Sequence, residues 1–149
     1  MPYEIESYVG AGALRFGMSP AQVHDILGNP RFTRSDPGRL REMYGLSPAL
    51  TFRGTDQELK LVEIGFAKEA EDVTYRGASL FAGERRATMR KLCDDDRDPR
   101  EVVGTLVFPD LGISLTGFHT EHEGSLAVTA FAPGTWDAQL AGSKPFKLR

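Results

Sequence analysis

The pentapeptide Gly-Ala-Leu-Arg-Phe at Gly12–Phe16 recurs 65 positions later, as Gly-Ala-Ser-Leu-Phe at Gly77–Phe81. The same offset aligns further apolar residues without a gap: Leu27 with Leu92, Leu46 with Leu111, Leu50-Thr51 with Leu115-Thr116, Leu61 with Leu126, and Phe66-Ala67 with Phe131-Ala132. Shared core and turn positions are what a duplicated unit retains. We predict one domain over residues 1–149, with repeat units at about 12–67 and 77–132 and a loose tail at 133–149; the alternative is coincidence among common residues.

Each unit is predicted to begin with a helix. In the first unit, Ser19–Gln22 supplies an N-cap serine, a proline at the first helical position and a glutamine in the capping-box position. Gly28 gives the stop signal, and the apolar stripe at helical spacing consists of Met18, Val23, Ile26 and Leu27. The corresponding helix of the second unit is predicted at about Glu84–Leu92.

Alternating and β-branched stretches predict strands after each helix. Those of the first unit are Leu40–Tyr44, Ala49–Arg53, Glu58–Ala67 and Val73–Arg76, and those of the second are Val102–Phe108, Ile113–His119 and Ser125–Ala132. Their short connections favour antiparallel pairing. The predicted fold class is therefore α+β, with two tandem units, each one helix packed on an antiparallel sheet of three to four strands.

The segment Gly12–Val23, followed by Ile-Leu-Gly-Asn-Pro at Ile26–Pro30, resembles the helix entry of the BamE (SmpA/OmlA) family of small outer-membrane lipoproteins. The two-unit pattern is also similar to the β-lactamase inhibitor protein family, and Phe108–Ile113 resembles a stretch in bacterial proteins of similar length. The resemblance implies a bacterial protein that binds another protein through the exposed face of its sheet. The chain has no lipobox cysteine and no cysteine pair, so it departs from both families, and neither membrane tethering nor β-lactamase inhibition is expected.

Composition argues against several classes of partner and compartment. The net charge is −3, and lysines and arginines are scattered among acids, which is atypical of nucleic-acid-binding proteins. No stretch has the features of a signal peptide or of a membrane span. Cys93 is the single cysteine, which is typical of a reducing compartment. We expect a cytoplasmic protein with no nucleic-acid and no membrane partner.

One segment, around two histidines, has the residue types of a metal or catalytic site. His119 and His122, with Glu121 and Glu123, are weak candidates for zinc ligands, but they fall at a strand end and in a turn, without a further ligand cluster. Cys93–Asp96 is interpreted as a solvated acidic loop whose carboxylates raise the thiol pKa. We expect no metal, no cofactor and no catalytic residue.

The sequence favours a non-enzymatic module of the inhibitor or immunity type, acting through a sheet face that the helices leave free. If Leu115 is a core residue, alternation sends Thr116 and Phe118 to the opposite face, together with Arg53, the repeat partner of Phe118. Phe66 and Phe131 join this face unless a bulge changes their parity.

Two alternatives stay open. The first is a small-ligand-binding or hydrolytic protein with a pocket between the units, using His119, Glu121 and His122. The second is a homodimeric structural subunit that buries the sheet face by self-association. Which of Leu61 and Phe66, and which of Leu126 and Phe131, lies in the core is left undecided.

Overall fold

The computed structural model describes residues 3–55, 57–68, 72–119 and 126–148. Within these residues the strands are β1 (Tyr3–Glu6), β2 (Gly10–Ala11), β3 (Leu14–Arg15), β4 (Phe32–Asp36), β5 (Arg39–Met43), β6 (Ala49–Thr55), β7 (Glu58–Ala67), β8 (Val73–Tyr75), β9 (Ala78–Ser79), β10 (Arg100–Val102), β11 (Thr105–Phe108), β12 (Ile113–Thr116), β13 (Ala127–Phe131) and β14 (Lys144–Pro145). The helices are α1 (Pro20–Leu27), α2 (Arg85–Asp95) and α3 (Asp137–Ala141).

The predicted fold class is wrong. Strands make up 43% of the structure and helices 18%, and there are three helices in the described chain rather than one per unit. The strands form a five-stranded sheet in the order β3-β2-β1-β8-β9 and a nine-stranded sheet in the order β14-β10-β11-β12-β13-β7-β6-β5-β4. Strands from both halves of the chain share each sheet, because pairing between the halves satisfies the backbone groups that separate sheets would leave at their edges.

Several predicted elements are confirmed with shifted bounds, while others are corrected. The single strand expected at Val102–Phe108 is a hairpin, since Val103 and Gly104 both have positive φ and turn the chain. β4 was not predicted, because all five of its residues are exposed and show no burial alternation. The tail, expected to be loose, contains α3 and adds β14 to the edge of the nine-stranded sheet.

Strand order in the nine-stranded sheet is mirrored about the β7–β13 pair. Going outwards, β7 is followed by β6, β5 and β4, and β13 by β12, β11 and β10. The leucines that the 65-residue offset aligns at these strands, Leu50, Leu115, Leu61 and Leu126, are all buried. Superposition of the two predicted units stays a prediction.

The core lies on one side of the nine-stranded sheet, which we call the core face. Leu50, Ile64 and Leu115 project from it into a cluster that also contains Val23 of α1 and Leu92 of α2. Tyr75 and other buried residues of the five-stranded sheet belong to the same cluster. Both helices and the smaller sheet therefore pack on the core face, and the opposite side is called the far face.

A bulge in β7 determines how Leu61 and Phe66 are oriented relative to the core. The β6–β7 register passes from Thr51 opposite Glu63 to Phe52 opposite Leu61, which leaves Val62 as the extra residue. Leu61 and Phe66 consequently both reach the core, at 0% and 2% exposure.

The predicted capping box of α1 is confirmed. Ser19 Oγ accepts a hydrogen bond from Gln22 N at 3.2 Å, and Gln22 Oε1 accepts one from Ser19 N at 2.9 Å. Gly28 ends the helix with a hydrogen bond from its N–H to His24 O at 2.8 Å.

Replacing the N-cap, Ser19→Ala, should lower the free energy of unfolding by about 1 kcal/mol, because the amide of Gln22 loses its acceptor. Leu92→Ala should cost more, about 2–5 kcal/mol, since Leu92 is fully buried. Urea denaturation with both variants measures these changes. A Leu92→Ala midpoint equal to that of wild type would contradict the placement of α2.

The β10–β11 hairpin contains a strained residue that can be tested. Val103 has φ 38° and is 99% exposed, and the following Gly104 has φ 80°. Asn-Gly is favoured when both central turn residues have positive φ, whereas valine is disfavoured there. Val103→Asn should therefore raise the free energy of unfolding by about 1 kcal/mol.

Thermal denaturation of Val103→Asn checks this expectation. Gly104→Ala is the matched control and should lower the melting temperature, because a Cβ there meets no atom within 4 Å and only the backbone is strained. A lower melting temperature for Val103→Asn would contradict the turn geometry.

Candidate functional site

The far face of the nine-stranded sheet is covered in one half. Over β10–β13, Phe131 packs against Trp136 with ring centroids 5.8 Å apart, and Val107 and Ser114 are 0% and 2% exposed. Arg100 ties the segment after α3 to β10, donating from Nε to Ser143 Oγ at 2.8 Å and from Nη2 to Ser143 O at 2.9 Å. The C-terminal segment therefore covers much of this half of the far face.

The other half, over β4, β5, β6 and the start of β7, is uncovered. The register of these strands places one set of side chains together on the far face: Phe32, Arg34, Asp36, Arg39, Arg41, Met43, Arg53, Glu58, Lys60 and Glu63. We call this set the open face. Phe32 lies on the open face and is 71% exposed, whereas phenylalanine is among the residue types most often buried.

Arginines lie directly opposite one another on the open face. Arg34 pairs with Arg41 across β4 and β5, Arg39 with Arg53 across β5 and β6, and Arg53 with Lys60 across β6 and β7. Like charges in directly opposed positions destabilise a sheet, and cross-strand pairs are worth roughly 0.2–1 kcal/mol each. These pairs therefore do not serve the stability of the fold.

Carboxylates on the open face compensate only part of this charge. Arg34 Nε lies 3.6 Å from an oxygen of Asp36, and Lys60 Nζ lies 3.4 Å from Glu58. Nε of Arg39 and Nε of Arg41 are buried, yet neither has a hydrogen-bond partner among the described residues. Two guanidinium groups thus retain donors that the fold leaves unused.

Glu63 is the carboxylate nearest the centre of the cluster. Burial raises its pKa, while Arg53, Arg41 and Arg39, in decreasing order, oppose that rise. Burial dominates, so these arginines do not fully offset the desolvation of the carboxylate.

Small residues lie between the arginines of the open face and the covered half of the far face. We call this strip of small residues the floor. The floor consists of Ala49, Gly65, Ala67, Ala127 and Thr129, which are neighbours across β6, β7 and β13. Gly65 has no positive φ, and a Cβ there would meet atoms only at 3.6 Å or beyond. The backbone does not require glycine at this position. Because glycine has no side chain, nothing projects from the sheet there.

Two residues of the predicted binding face are exposed as expected. Arg53 belongs to the open face, and Thr116 is exposed at the end of β12. The two are not neighbours, since β13 and β7 lie between their strands.

The prediction that Phe118 lies exposed on the binding face is wrong, and Phe66 and Phe131, expected there only without a bulge, are buried as well. Phe66 is 2% exposed and faces the core, as its parity with Ile64 requires. Phe118 is 3% exposed, because β12 ends at Thr116 and alternation does not continue beyond it. Phe131 does point to the far face, but Trp136 covers it.

The histidine candidates do not form a ligand set in the described chain. His119 Nε2 lies 3.0 Å from Glu101 Oε2. His122 and Glu121 fall outside the described residues. Among the residues with described positions, no group of three or more His, Cys, Asp and Glu could hold a metal ion.

His24 forms a pair that the sequence did not reveal. Its Nε2 lies 2.9 and 2.8 Å from the two carboxylate oxygens of Glu42, whose side chain is 3% exposed. Glu42 belongs to β5, so the pair links α1 to that strand, and the His24 side chain is itself 33% exposed. Burial, followed by the charge of Glu42, raises the pKa of neighbouring Tyr44 to about 12. We assign this pair to the packing of α1 on the sheet.

The segment Cys93–Asp96, expected to be a solvated loop, instead forms the end of α2 with Asp96 as its C-cap, and it is only partly solvated. Asp96 is 5% exposed and accepts hydrogen bonds from the backbone N–H groups of Asp98, Asp110 and Leu111, at 2.8, 2.7 and 3.3 Å. Burial, then Asp94 and Asp96, raise the pKa of the Cys93 thiol, which confirms the predicted direction. A thiol in this setting is a poor nucleophile.

A cavity of about 370 Å³ lies between the end of α2 and the C-terminal segment. Its lining comprises Arg90, Cys93, Asp94, Asp96, Arg97, Pro99, Phe146, Lys147 and Leu148. His119 does not line it, so it is not the pocket that the hydrolytic alternative requires. Its charged groups are of both signs, and the arrangement does not resemble a nucleophile with its base.

Comparisons with known proteins give no relative. No protein-family model matches the chain, no curated protein is significantly similar to it, and no solved structure matches it significantly. The resemblance to the BamE and β-lactamase inhibitor protein families stays an expectation from the sequence. In the described part of the chain, none of the helices has the length and apolar character to cross a membrane.

Sequence reasoning missed the open face for a specific reason. Arg41 lies in the predicted strand Leu40–Tyr44 and Arg39 directly precedes it, so their spacing of two residues was a usable signal that both point to one side. Their opposition to Arg34 and Arg53 depends on strand order, which alternation alone does not report.

Phe118→Ala should lower the free energy of unfolding by about 3–5 kcal/mol, since its ring is buried and lies 6.3 Å from that of Phe81. Thr116→Ala, at an exposed neighbouring position, is the control and should change stability little. Melting temperatures of the two variants measure the difference. An unchanged Phe118→Ala variant would restore Phe118 as a surface residue.

Glu63→Gln should alter the pH dependence of stability. A carboxyl group whose pKa is raised on folding holds its proton more tightly in the folded state, so stability falls as pH rises from about 4.3 through the raised value. The variant lacks this loss and should gain stability relative to wild type between pH 3.5 and pH 7.

Melting temperatures across that pH range test the expectation, with Glu58→Gln as the control on the same strand. A Glu63→Gln variant that loses stability relative to wild type as pH rises would show that the arginines outweigh burial.

Proposed function

We propose that this protein is a protein-binding module of the inhibitor or immunity type that acts through the open face. The observation that carries the proposal is the asymmetry of the far face. The C-terminal segment covers much of one half. In the other half Phe32, Arg34 and Arg53 are exposed, while Met43, Arg39 and Arg41 are half-buried. Nothing in the packing of the described chain requires that difference.

The composition of the open face supports a protein partner. Aromatic residues, methionine and arginine are the residue types enriched at protein interfaces, and arginines and aromatics dominate binding hot spots. The open face combines all three on regular strands, which hold side chains more rigidly than loops do. The working residues are revised accordingly to Phe32, Arg34, Arg39, Arg41 and Arg53, with Arg53 common to the sequence prediction.

An affinity experiment tests the proposal. The double variant Phe32→Ala/Arg53→Ala changes two exposed residues of the open face, and Val9→Ala/Arg86→Ala removes the same kinds of side chain elsewhere on the surface. Wild type and both variants are immobilised, and the proteins each retains from a lysate of the native cell are compared. We expect a protein retained by wild type and by the control variant but not by the open-face variant.

Loss of a hot-spot pair should weaken that retention at least tenfold, because such residues typically contribute ~2 kcal/mol or more. Equal melting temperatures would show that the effect is not one of folding. Retention of the same proteins by all three forms, or by none, contradicts the proposal. A two-fold dimer with the open face buried, seen by light scattering and lost in the open-face variant, would favour the structural-subunit alternative.

A further inference from the structure

We infer that the open face recognises an extended acidic segment of its partner, with carboxylates at alternate positions and an apolar residue at one end of them. The inference rests on the proposed function and names the chemistry of the ligand. It follows from the spacing of the arginines, from their unused donors and from the apolar residues beside them.

The arginines form two opposed pairs at a fixed separation. Arg41 and Arg39 are two residues apart on β5 and point to the same face, so their Cα atoms lie about 6.6–6.8 Å apart. Arg34 opposes the first and Arg53 the second. The Cβ atoms of directly opposed residues are about 4.5–5.5 Å apart. The open face therefore presents two double-arginine sites, one after the other along β5, and the second also has Asp36 opposite Arg39 on β4.

An extended peptide has the same repeat. Its side chains at positions i and i+2 point to one side and are separated by the same ~6.7 Å. Two glutamates at such positions would place one carboxylate at each double-arginine site. Arginine binds carboxylates through paired, parallel hydrogen bonds, and Nε takes part in that geometry. The Nε donors of Arg39 and Arg41 lack partners in the described chain, and because both atoms are buried, a carboxylate reaches them only when these two side chains turn outward.

Apolar residues on the open face define one end of the ligand. Phe32 and Met43 oppose each other one repeat beyond Arg34 and Arg41. An apolar side chain two positions from the nearer carboxylate would cover Phe32, whichever way the ligand runs. The expected pattern is thus apolar, any residue, acidic, any residue, acidic, read in either direction along the chain.

The charges on the open face favour a peptide over a nucleic acid. Asp36, Glu58 and Glu63 lie among the five cations, and the whole chain carries a net charge of −3. A phosphate backbone has a charge at every nucleotide and would meet these carboxylates. An extended peptide of the expected pattern brings only two carboxylates to the open face, at alternate positions.

Three synthetic peptides probe the inference at low ionic strength. The test peptide is acetyl-Val-Thr-Glu-Thr-Glu-Thr-amide, the second carries the same residues with adjacent glutamates (acetyl-Val-Glu-Glu-Thr-Thr-Thr-amide), and the third replaces both glutamates of the first by glutamine. Binding is followed by ¹⁵N NMR at backbone amides and at arginine Nε–H groups. We expect the test peptide to bind at least tenfold more tightly than the glutamine peptide and at least threefold more tightly than the adjacent one.

Arg39→Gln/Arg41→Gln should abolish this preference, whereas Arg86→Gln/Arg90→Gln, which removes the same charge from exposed positions of α2, should leave it intact. If the first variant does not fold, Arg34→Gln/Arg53→Gln tests the same two sites from their more exposed partners. Equal binding of the three peptides, or shifts confined to α2, would overturn the inference.

Tighter binding of a single-stranded oligothymidylate would overturn it in favour of nucleic acid. Failure with the acidic peptides, alongside partner retention that depends on Phe32 and Arg53, would leave the proposed function standing with a different ligand class. If neither the peptides nor the lysate proteins bind as expected, both the proposed function and the inferred ligand are contradicted.

Discussion

The antiparallel pairing of β7 with β13 is the interaction on which the rest of the structure depends. Five residue pairs, from Ala127 opposite Ala67 to Phe131 opposite Glu63, join strands from the two halves of the chain at the centre of the nine-stranded sheet. Each half would otherwise expose an unpaired edge, and an exposed edge is a liability in solution. The pairing also gives α1 and α2 a single surface to pack on, so one contiguous core forms.

That central pairing creates two unequal faces. On the core face the helices and the smaller sheet bury a continuous apolar cluster, while on the far face the described C-terminal segment covers the half next to β10. The proposed binding surface is thus the half that this segment leaves uncovered. The open half lies on rigid, hydrogen-bonded strands, so a ligand would meet arginines that are already aligned.

Several local features lower the stability of the fold, and its packing does not require them. Opposed arginines on β4, β5 and β6, glycine at Gly65 in a strand interior, and valine at positive φ in Val103 each depart from what an isolated fold favours. Departures of this kind concentrate where a protein works. The first two belong to one surface, which is why the function is placed there, whereas the structure gives no role to Val103.

The sequence by itself determined what depends on neighbours along the chain. It predicted the capping box at Ser19, the β6–β7 hairpin and the effect of the acids near Cys93, because each requires only a few consecutive residues. The joining of the halves, the bulge at Val62, the burial of Phe118 and the opposition of Arg34 to Arg41 were decided by the tertiary structure. Alternation reports that a side chain points up or down from its strand. Which strand lies beside it, and what covers the face, are set by contacts between residues far apart in sequence.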